Sequence, residues 1–451
     1  MNFEFLSWFN FNFDVDAFLD IAGSDPLYAM WYFFVHGGWI LFIWVILWGA
    51  LHLFVEHKQA HAVMAREWVI YRVHVPKMSE QTPRAAENMF ASFAGGHQGP
   101  SWTDTWLKGF TQTVISLEIA SINGAVGFYI RCERRLRDMV EAAVYAQYPD
   151  AELIEVEDYT LSVPKHYPDE EWDLWGAEII PTRKGAHGGF EDAYPIKTYP
   201  EFEDKVSGEF KDPIANILEV FSRFGPGEQA WYQILLVPTD QADFRKRAEK
   251  VIDKIKGVKK EVKKTALDFA IDLPINITKD FANVLLSTPQ EAPKKDAKAD
   301  FPKLFALSPQ EKEILEAVER KAGKIGFDCK IRFAYLAKRE VFNKSHFAQP
   351  FIGAIKQTNT FHMQALKPDF KKTGMGSALW FFKDKRNNER KTRLVKAYAS
   401  RSGWKGMPRF FLSTEELATL WHFPILQQVK APSLTRIEAK KSEAPANLPF
   451  G

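Results

Sequence analysis

Residues 113–132 read TVISLEIASINGAVGFYIRC. Two runs of β-branched and aromatic residues, 113–122 and 125–132, flank Asn123-Gly124. Both of these residues tolerate the left-handed backbone of a two-residue turn, so the pair closes a β-hairpin. Working outward, residues 67–75 (EWVIYRVHV) form a strand before it. Thr82 as cap and Pro83 at the first helical position open a helix that stops at Gly95-Gly96. On the other side, residues 134–148 place Leu136, Met139, Val140, Ala143 and Val144 on one helical face, and Pro149 ends the run. Residues 151–157 (AELIEVE) alternate as a strand. The order β-α-β-β-α-β predicts a ferredoxin-like α+β unit, a four-stranded antiparallel sheet with both helices on one face.

The order recurs downstream. Residues 175–182 read as a strand, and Asp212-Pro213 caps a helix that Gly225-Pro226-Gly227 breaks after Phe224. Strands follow at 230–237 and 327–336, a helix at 345–357 and a closing strand at 407–412. The expectation is a second ferredoxin-like domain interrupted by an insertion at 244–303. Within it, residues 244–264 form a basic helix with Val251, Ile252, Ile255, Val258 and Val262 at helical intervals. Lys256, Lys259, Lys260 and Lys263 are its candidate membrane-surface residues. The alternative is a helix packed on its own domain with a solvated basic face. Ser308-Pro309-Gln310-Glu311 restarts order as a capping box.

Between Asp25 and Glu56 there is no Asp, Glu, Lys or Arg. About 20 apolar residues cross a hydrocarbon core, so residues 26–56 read as one transmembrane helix. Glu4, Asp14, Asp16, Asp20 and Asp25 precede it, and Lys58, Arg66, Arg72 and Lys77 follow. The positive-inside bias then puts residues 1–25 outside an inner membrane and the rest of the chain in the cytoplasm. The run is too long, and lacks the basic n-region, for a cleaved signal peptide. The domain plan is therefore a first ferredoxin-like domain at 66–160, a second at 172–425 and an extended tail at 426–451.

The 451 residues carry a formal charge of +2, so any nucleic-acid affinity must be local. Cys132 and Cys329 stand far apart, as suits buried thiols in a reducing compartment. No G-x4-G-K-[ST] phosphate loop, H-E-x-x-H or nucleophile elbow occurs, and Gly374-Met375-Gly376 lacks a third glycine. His57 and His61 have helical spacing but no third metal ligand. The reading is a non-enzyme without catalytic residues, metal or cofactor. One cluster points to binding. Residues 383–405 hold nine Lys and Arg against Asp384 and Glu389, with Tyr398 and Trp404 among them. Arg386, Arg390, Arg393 and Trp404 are the candidate contacts to nucleic acid or a partner, because cations neutralise phosphates and aromatic rings stack on bases. The bland alternative is an exposed basic face.

Three stretches carry a family resemblance. Residues 128–131 (FYIR) leading to 144–152 (VYAQYPDAE), 412–424 (LSTEELATLWHFP), and 432–439 (PSLTRIEA) with 446–449 (ANLP) resemble the membrane-anchored N-terminal region of conjugation-class type IV secretion ATPases. The nearest likeness is to a poorly characterised group from genome-reduced bacteria. In that family a P-loop motor follows, whereas this sequence reaches Gly451 without one. The resemblance implies a scaffold or docking subunit of a translocation machine. Its expected partners are the membrane, a P-loop ATPase in trans and further copies of itself. A membrane-tethered nucleic-acid-binding protein is the alternative, and no small-molecule substrate is identified. Leu417, Leu420, Trp421 and Phe423 need an apolar surface, either a partner's or their own domain's.

Overall fold

A computed structural model describes residues 18, 20–21, 25–75, 81–185, 189–203, 210–257, 307–376 and 381–425. In chain order the helices and strands are α1 (Pro26–Phe33), α2 (Trp39–Met64), β1 (Trp68–His74), α3 (Pro83–Phe93), α4 (Trp102–Trp106), β2 (Ile115–Ile122), β3 (Ala125–Glu133), α5 (Arg137–Gln147), β4 (Glu152–Glu155) and β5 (Trp172–Pro181). They continue as α6 (Ala215–Phe221), β6 (Glu228–Pro238), α7 (Gln241–Lys256), α8 (Pro309–Ala322), β7 (Gly326–Lys338), α9 (Lys344–Lys356), β8 (Leu366–Pro368), α10 (Lys383–Ala399), β9 (Phe410–Ser413) and α11 (Thr414–Leu420). The chain divides into two compact units, residues 1–68 with 98–112, and residues 69–97 with 113–451.

The larger unit corrects the expectation of two ferredoxin-like domains. Its described residues form a nine-stranded sheet in the order β4-β1-β3-β2-β6-β7-β5-β8, with β9 paired to β7. The pairs β1–β4, β2–β3, β2–β6, β5–β7, β5–β8, β6–β7 and β7–β9 are antiparallel. The halves fuse because β2 pairs with β6 from Ile115↔Leu236 to Ile122↔Gln229. Both strands are buried nearly throughout, so a free edge on either would strand a row of amide and carbonyl groups away from water. The hairpin between β2 and β3 forms as its sequence dictates, with Asn123 at φ +51° and Gly124 at φ +88°.

The predicted closing strand is also corrected. β8 takes the edge beside β5, while Phe410–Ser413 lies on β7. Strand β5 pairs with β7 only from Ile331 to Lys338, which leaves Gly326–Cys329 open on that side. β9 fills the gap, Gly326↔Ser413 to Cys329↔Phe410.

Strand alternation sorts side chains onto two faces. Leu117, Ile130, Ile234, Ile331 and Phe333 meet Phe90 and Phe93 of α3, Val144 of α5, Phe221 of α6, Phe347 and Phe351 of α9 and Leu417 of α11 in the main core. The other face carries a smaller cluster, in which Ala120, Trp231 and Ala334 pack under Leu394, Val395 and Tyr398 of α10. The described residues after β9, 414–425, are taken into the main core. The capping box Ser413–Glu416 starts α11, and Leu417, Leu420, Trp421 and Phe423 are all buried in their own unit. Trp421 meets Phe90, Phe128 and Phe423 at centroid distances of 6.1, 5.6 and 5.0 Å.

The smaller unit corrects the transmembrane expectation. Among the described residues no helix is long and apolar enough to cross a membrane. The apolar sequence does not form one α-helix, since a π-helical turn at Phe34–Gly38 separates α1 from α2. Within α2 the apolar run ends at Val55, and Glu56, His57, Lys58 and Gln59 make the last turns polar. What remains falls short of the roughly 20 residues a span requires.

The burial of Trp421 generates a test. Trp421→Ala should lower unfolding stability by about 3–5 kcal/mol, the cost of deleting a fully buried indole. Urea denaturation followed by far-ultraviolet circular dichroism measures it. A change within experimental error would show that residues 410–425 do not belong to this core.

Candidate functional site

The face of the sheet under α10 carries a row of polar residues where apolar ones would be expected. Glu118 of β2 lies opposite Gln233 of β6, Gln233 opposite Arg332 of β7, and Arg332 opposite Glu178 of β5. All four are buried. A buried charge is tolerated only when paired and hydrogen-bonded, and this row is. Arg332 Nε donates to Glu178 Oε1 at 2.9 Å, and its Nη2 donates to the carbonyls of Ser402 and Lys405, each at 2.7 Å. Gln233 Nε2 donates to Glu118 Oε1 at 2.9 Å and to the Tyr398 carbonyl at 3.2 Å.

Arg401 closes the row from above. It follows α10 with φ +49° and is buried. Its Nε and Nη2 donate to the two Glu118 oxygens at 2.9 and 3.1 Å, and Nη2 also reaches Asp158 Oδ1 at 3.0 Å. The Tyr159 hydroxyl donates to Glu118 Oε2 at 2.7 Å and lies 2.9 Å from that of Tyr398. Burial pushes the carboxyl groups of Glu118 and Asp158 up, but the charge and hydrogen bonds of Arg401 outweigh it and hold both below their ordinary values. Lys330, two residues before Arg332 on the same face, is pushed down to about 8, chiefly by burial.

Beside this row lies a cleft of about 570 Å³, between α10, the loop after β8 and the turn before β9. Lys372, Arg390, Arg393, Lys396 and Lys405 line it, against the single carboxylate of Glu178. Because Arg332 already pairs with Glu178, the cleft keeps an excess of positive charge. Leu394, Ala397, Met407 and Pro408 give it an apolar wall. Gly406, at φ +98°, lets the turn lie against the Glu178 carboxylate, and the Met407 amide donates to Glu178 Oε2 at 2.5 Å. A cationic cleft with an apolar wall attracts anions, phosphate esters among them.

The structure sorts the sequence candidates. Arg390 is committed to the loop after β8, donating to the carbonyls of Gly374 and Lys371 at 2.9 Å each. Arg386 donates to the Phe381 carbonyl. Arg393 lines the cleft, paired with Glu389 at 3.0 Å but still 75% exposed. Trp404 is 67% exposed, with the Arg409 guanidinium 4.8 Å from its ring. Lys256 sits on α7 and pairs with Glu319 of α8 at 2.8 Å, and Phe244, Ala248 and Val251 of α7 pack in a cluster with Val318 of α8. Lys259, Lys260 and Lys263 lie outside the described residues. Sequence reasoning missed Lys372 and Glu178, which come to the cleft from distant segments. The readable signal was a charged residue at an inward position of an otherwise apolar strand, as at Glu118, Glu178 and Arg332. Among the described residues no cluster of His, Cys, Asp and Glu could hold a metal ion.

Residues 56–433 match the family described as a domain of unknown function (DUF8128). The match covers well over half of the chain, which therefore belongs to this family. No curated protein matches it.

Arg401→Met would leave Glu118 and Asp158 without their cation. Removing one partner of a buried pair costs about 3–5 kcal/mol, which urea denaturation near neutral pH should show. Both carboxyl groups have folded-state values below their unfolded ones. The stability they lend is thus complete above the ordinary carboxylate range and is lost as pH falls through their depressed values. The gap between wild type and variant should therefore be full near neutral pH and narrow as pH falls below about 4, the ordinary carboxylate value. A gap independent of pH would contradict the ion-pair account.

Proposed function

We propose that this member of the family is a non-catalytic, membrane-attached scaffold that docks a separately encoded P-loop motor of a translocation machine. The observation that carries the attachment is the apolar arm, α1 to α2. Leu27, Met30, Trp31, Phe42, Trp44, Val45, Ile46, Leu47, Leu53 and Phe54 are all exposed. A helix apolar on every side belongs in an apolar surrounding, and each such side chain gains about 1.5–3 kcal/mol on leaving water. The reading requires these side chains to lie in lipid; it does not require the helix to cross. Lys58, Lys108 and Arg66 at the polar end of the arm favour an anionic, cytoplasmic leaflet. The motor partner rests on the family resemblance of residues 128–152 and 412–424.

Flotation tests the attachment. The full chain should rise with vesicles of phosphatidylethanolamine and phosphatidylglycerol, and an Ile46→Asp, Leu47→Asp, Phe54→Asp variant should stay at the bottom. A wild-type chain that also stays behind would overturn the reading. Cross-linking in native membranes tests the motor half, which fails if no P-loop ATPase is recovered.

A second reading, single-stranded nucleic-acid binding, is favoured by the charge excess of the cleft and the exposed Trp404 beside Lys405. Its contacts would be Lys372, Arg393, Lys396 and Lys405, because Arg386 and Arg390 are engaged with backbone carbonyls. Fluorescence anisotropy with a single-stranded oligonucleotide should then give a log-log salt slope of about −0.7 per phosphate contact. Lys396→Glu with Lys405→Glu should abolish binding, and Trp404→Ala should cost about 1–3 kcal/mol. A flat salt response would leave the cleft without this role.

A further inference from the structure

The segment between α3 and β2 leaves the sheet unit at Gln98 and rejoins it after Gln112, belonging instead to the unit of the apolar arm. It reads SWTDTWLKGF from Ser101 to Phe110. A capping box, Ser101 with Asp104, opens α4, and Lys108 pairs with Asp104 at 2.8 Å.

Three contacts fix the segment along α2. The Trp106 ring lies 6.1 Å from that of His52. Gly109, at φ +69°, runs against the helix backbone so closely that a Cβ would come within 2.5 Å of the Lys58 carbonyl carbon and 2.7 Å of the Gln59 nitrogen. Arg66 Nη2 donates to the Thr111 carbonyl at 2.6 Å and to its hydroxyl at 2.9 Å. The segment and the helix therefore run the same way, and the earlier residues of the segment lie towards the apolar end. A run of aromatic contacts continues in that direction. Trp102 stacks on Trp106 at 6.3 Å, while His52 meets Trp48 at 4.7 Å and Trp48 meets Trp44 at 5.9 Å.

The position matters because α2 changes character there. Apart from His52 its side chains are apolar up to Val55, its charged residues Glu56 and Lys58 come just after, and the segment runs beside it from His52 to Arg66, two residues past its end. At that level it leaves Trp102 69% exposed and Leu107 57% exposed. Indole rings, apolar in body with one N–H donor, concentrate where lipid chains meet headgroups. Lys58 supplies a cation at the same level for anionic headgroups, and the Lys108 ammonium, paired with Asp104, is largely exposed beside it.

We propose that α4 and Leu107 form an interfacial foot, resting in the headgroup layer of the lipid surface that holds the arm and setting how deeply the arm enters. This inference rests on the membrane attachment proposed above. The occupant is lipid because the exposed Trp102 and Leu107 continue the exposed apolar surface of α2 at its polar boundary.

Depth-resolved quenching tests it. A cysteine replaces Thr103, which is exposed and whose change keeps both indoles, or Ile46 as the reference; Cys132 and Cys329 are buried and stay in place. Each full-length variant is labelled with an environment-sensitive fluorophore and bound to phosphatidylethanolamine–phosphatidylglycerol vesicles. The vesicles carry a nitroxide either at the headgroup or deep in the acyl chain. The label at position 46 should lose its emission to the deep nitroxide, and that at 103 to the shallow one. Adding Trp102→Ser and Leu107→Ser should abolish the shallow quenching at 103 and leave that at 46. Quenching at 46 without any at 103 overturns the foot while the attachment stands. Quenching at neither position overturns the attachment, and the foot with it. Equal quenching of the label at 103 by both nitroxides overturns the assignment to the headgroup layer.

Discussion

The row Glu118, Gln233, Arg332 and Glu178 constrains the larger unit more than any apolar contact does. These residues occupy one register position on four neighbouring strands. A slip of one residue in any pair would carry a charge into the main core and an apolar side chain out of it. The fusion of the two halves into one sheet is tied to the same row, since Glu118 and Gln233 sit on either side of the β2–β6 seam. Arg401 then fixes the cover, because its guanidinium reaches Glu118 and Asp158 only when the chain leaving α10 lies flat on this face.

The cleft follows from that constraint. Holding the carbonyls of Ser402 and Lys405 on Arg332 places the turn before β9 beside the last turns of α10. Lys396 and Lys405, distant from Lys372 in the chain, thereby line one concavity. The stabilising network and the charged cleft are adjacent for a physical reason: the buried cations are neutralised by buried carboxylates, and the exposed ones are largely left over. Burial decides which Lys and Arg side chains serve the fold and which line the open cleft.

The arm shows the opposite economy. Its side chains find little cover in their own unit, and the segment 98–112 touches it mainly from His52 onward, where the helix turns polar. Under the attachment we propose, the apolar stretch lies in lipid and its polar end faces water. The sheet unit makes no such demand, since even the segment after β9, from Leu417 to Phe423, is taken into its own core.

Local patterns were legible without the fold. The Asn123-Gly124 hairpin, the caps at Ser308 and Ser413, the strand alternation and the positions of most helices follow from preferences that act over a few residues. The sequence alone also exposed the charge gap between Asp25 and Glu56 and the absence of a phosphate loop. Other features depended on groups far apart in the chain. Two four-strand patterns became one sheet because the free edges of β2 and β6 satisfy each other, and no local preference encodes which edges meet. The apolar run was broken by the π-helical turn at Phe34–Gly38, which hydropathy does not register. Arg386 and Arg390 looked free in sequence but are bonded to backbone carbonyls, while Glu178 looked incidental and forms the floor of the cleft. A side chain's partners are set by which segments the tertiary fold brings within hydrogen-bond reach, and that distance is absent from the order of residues.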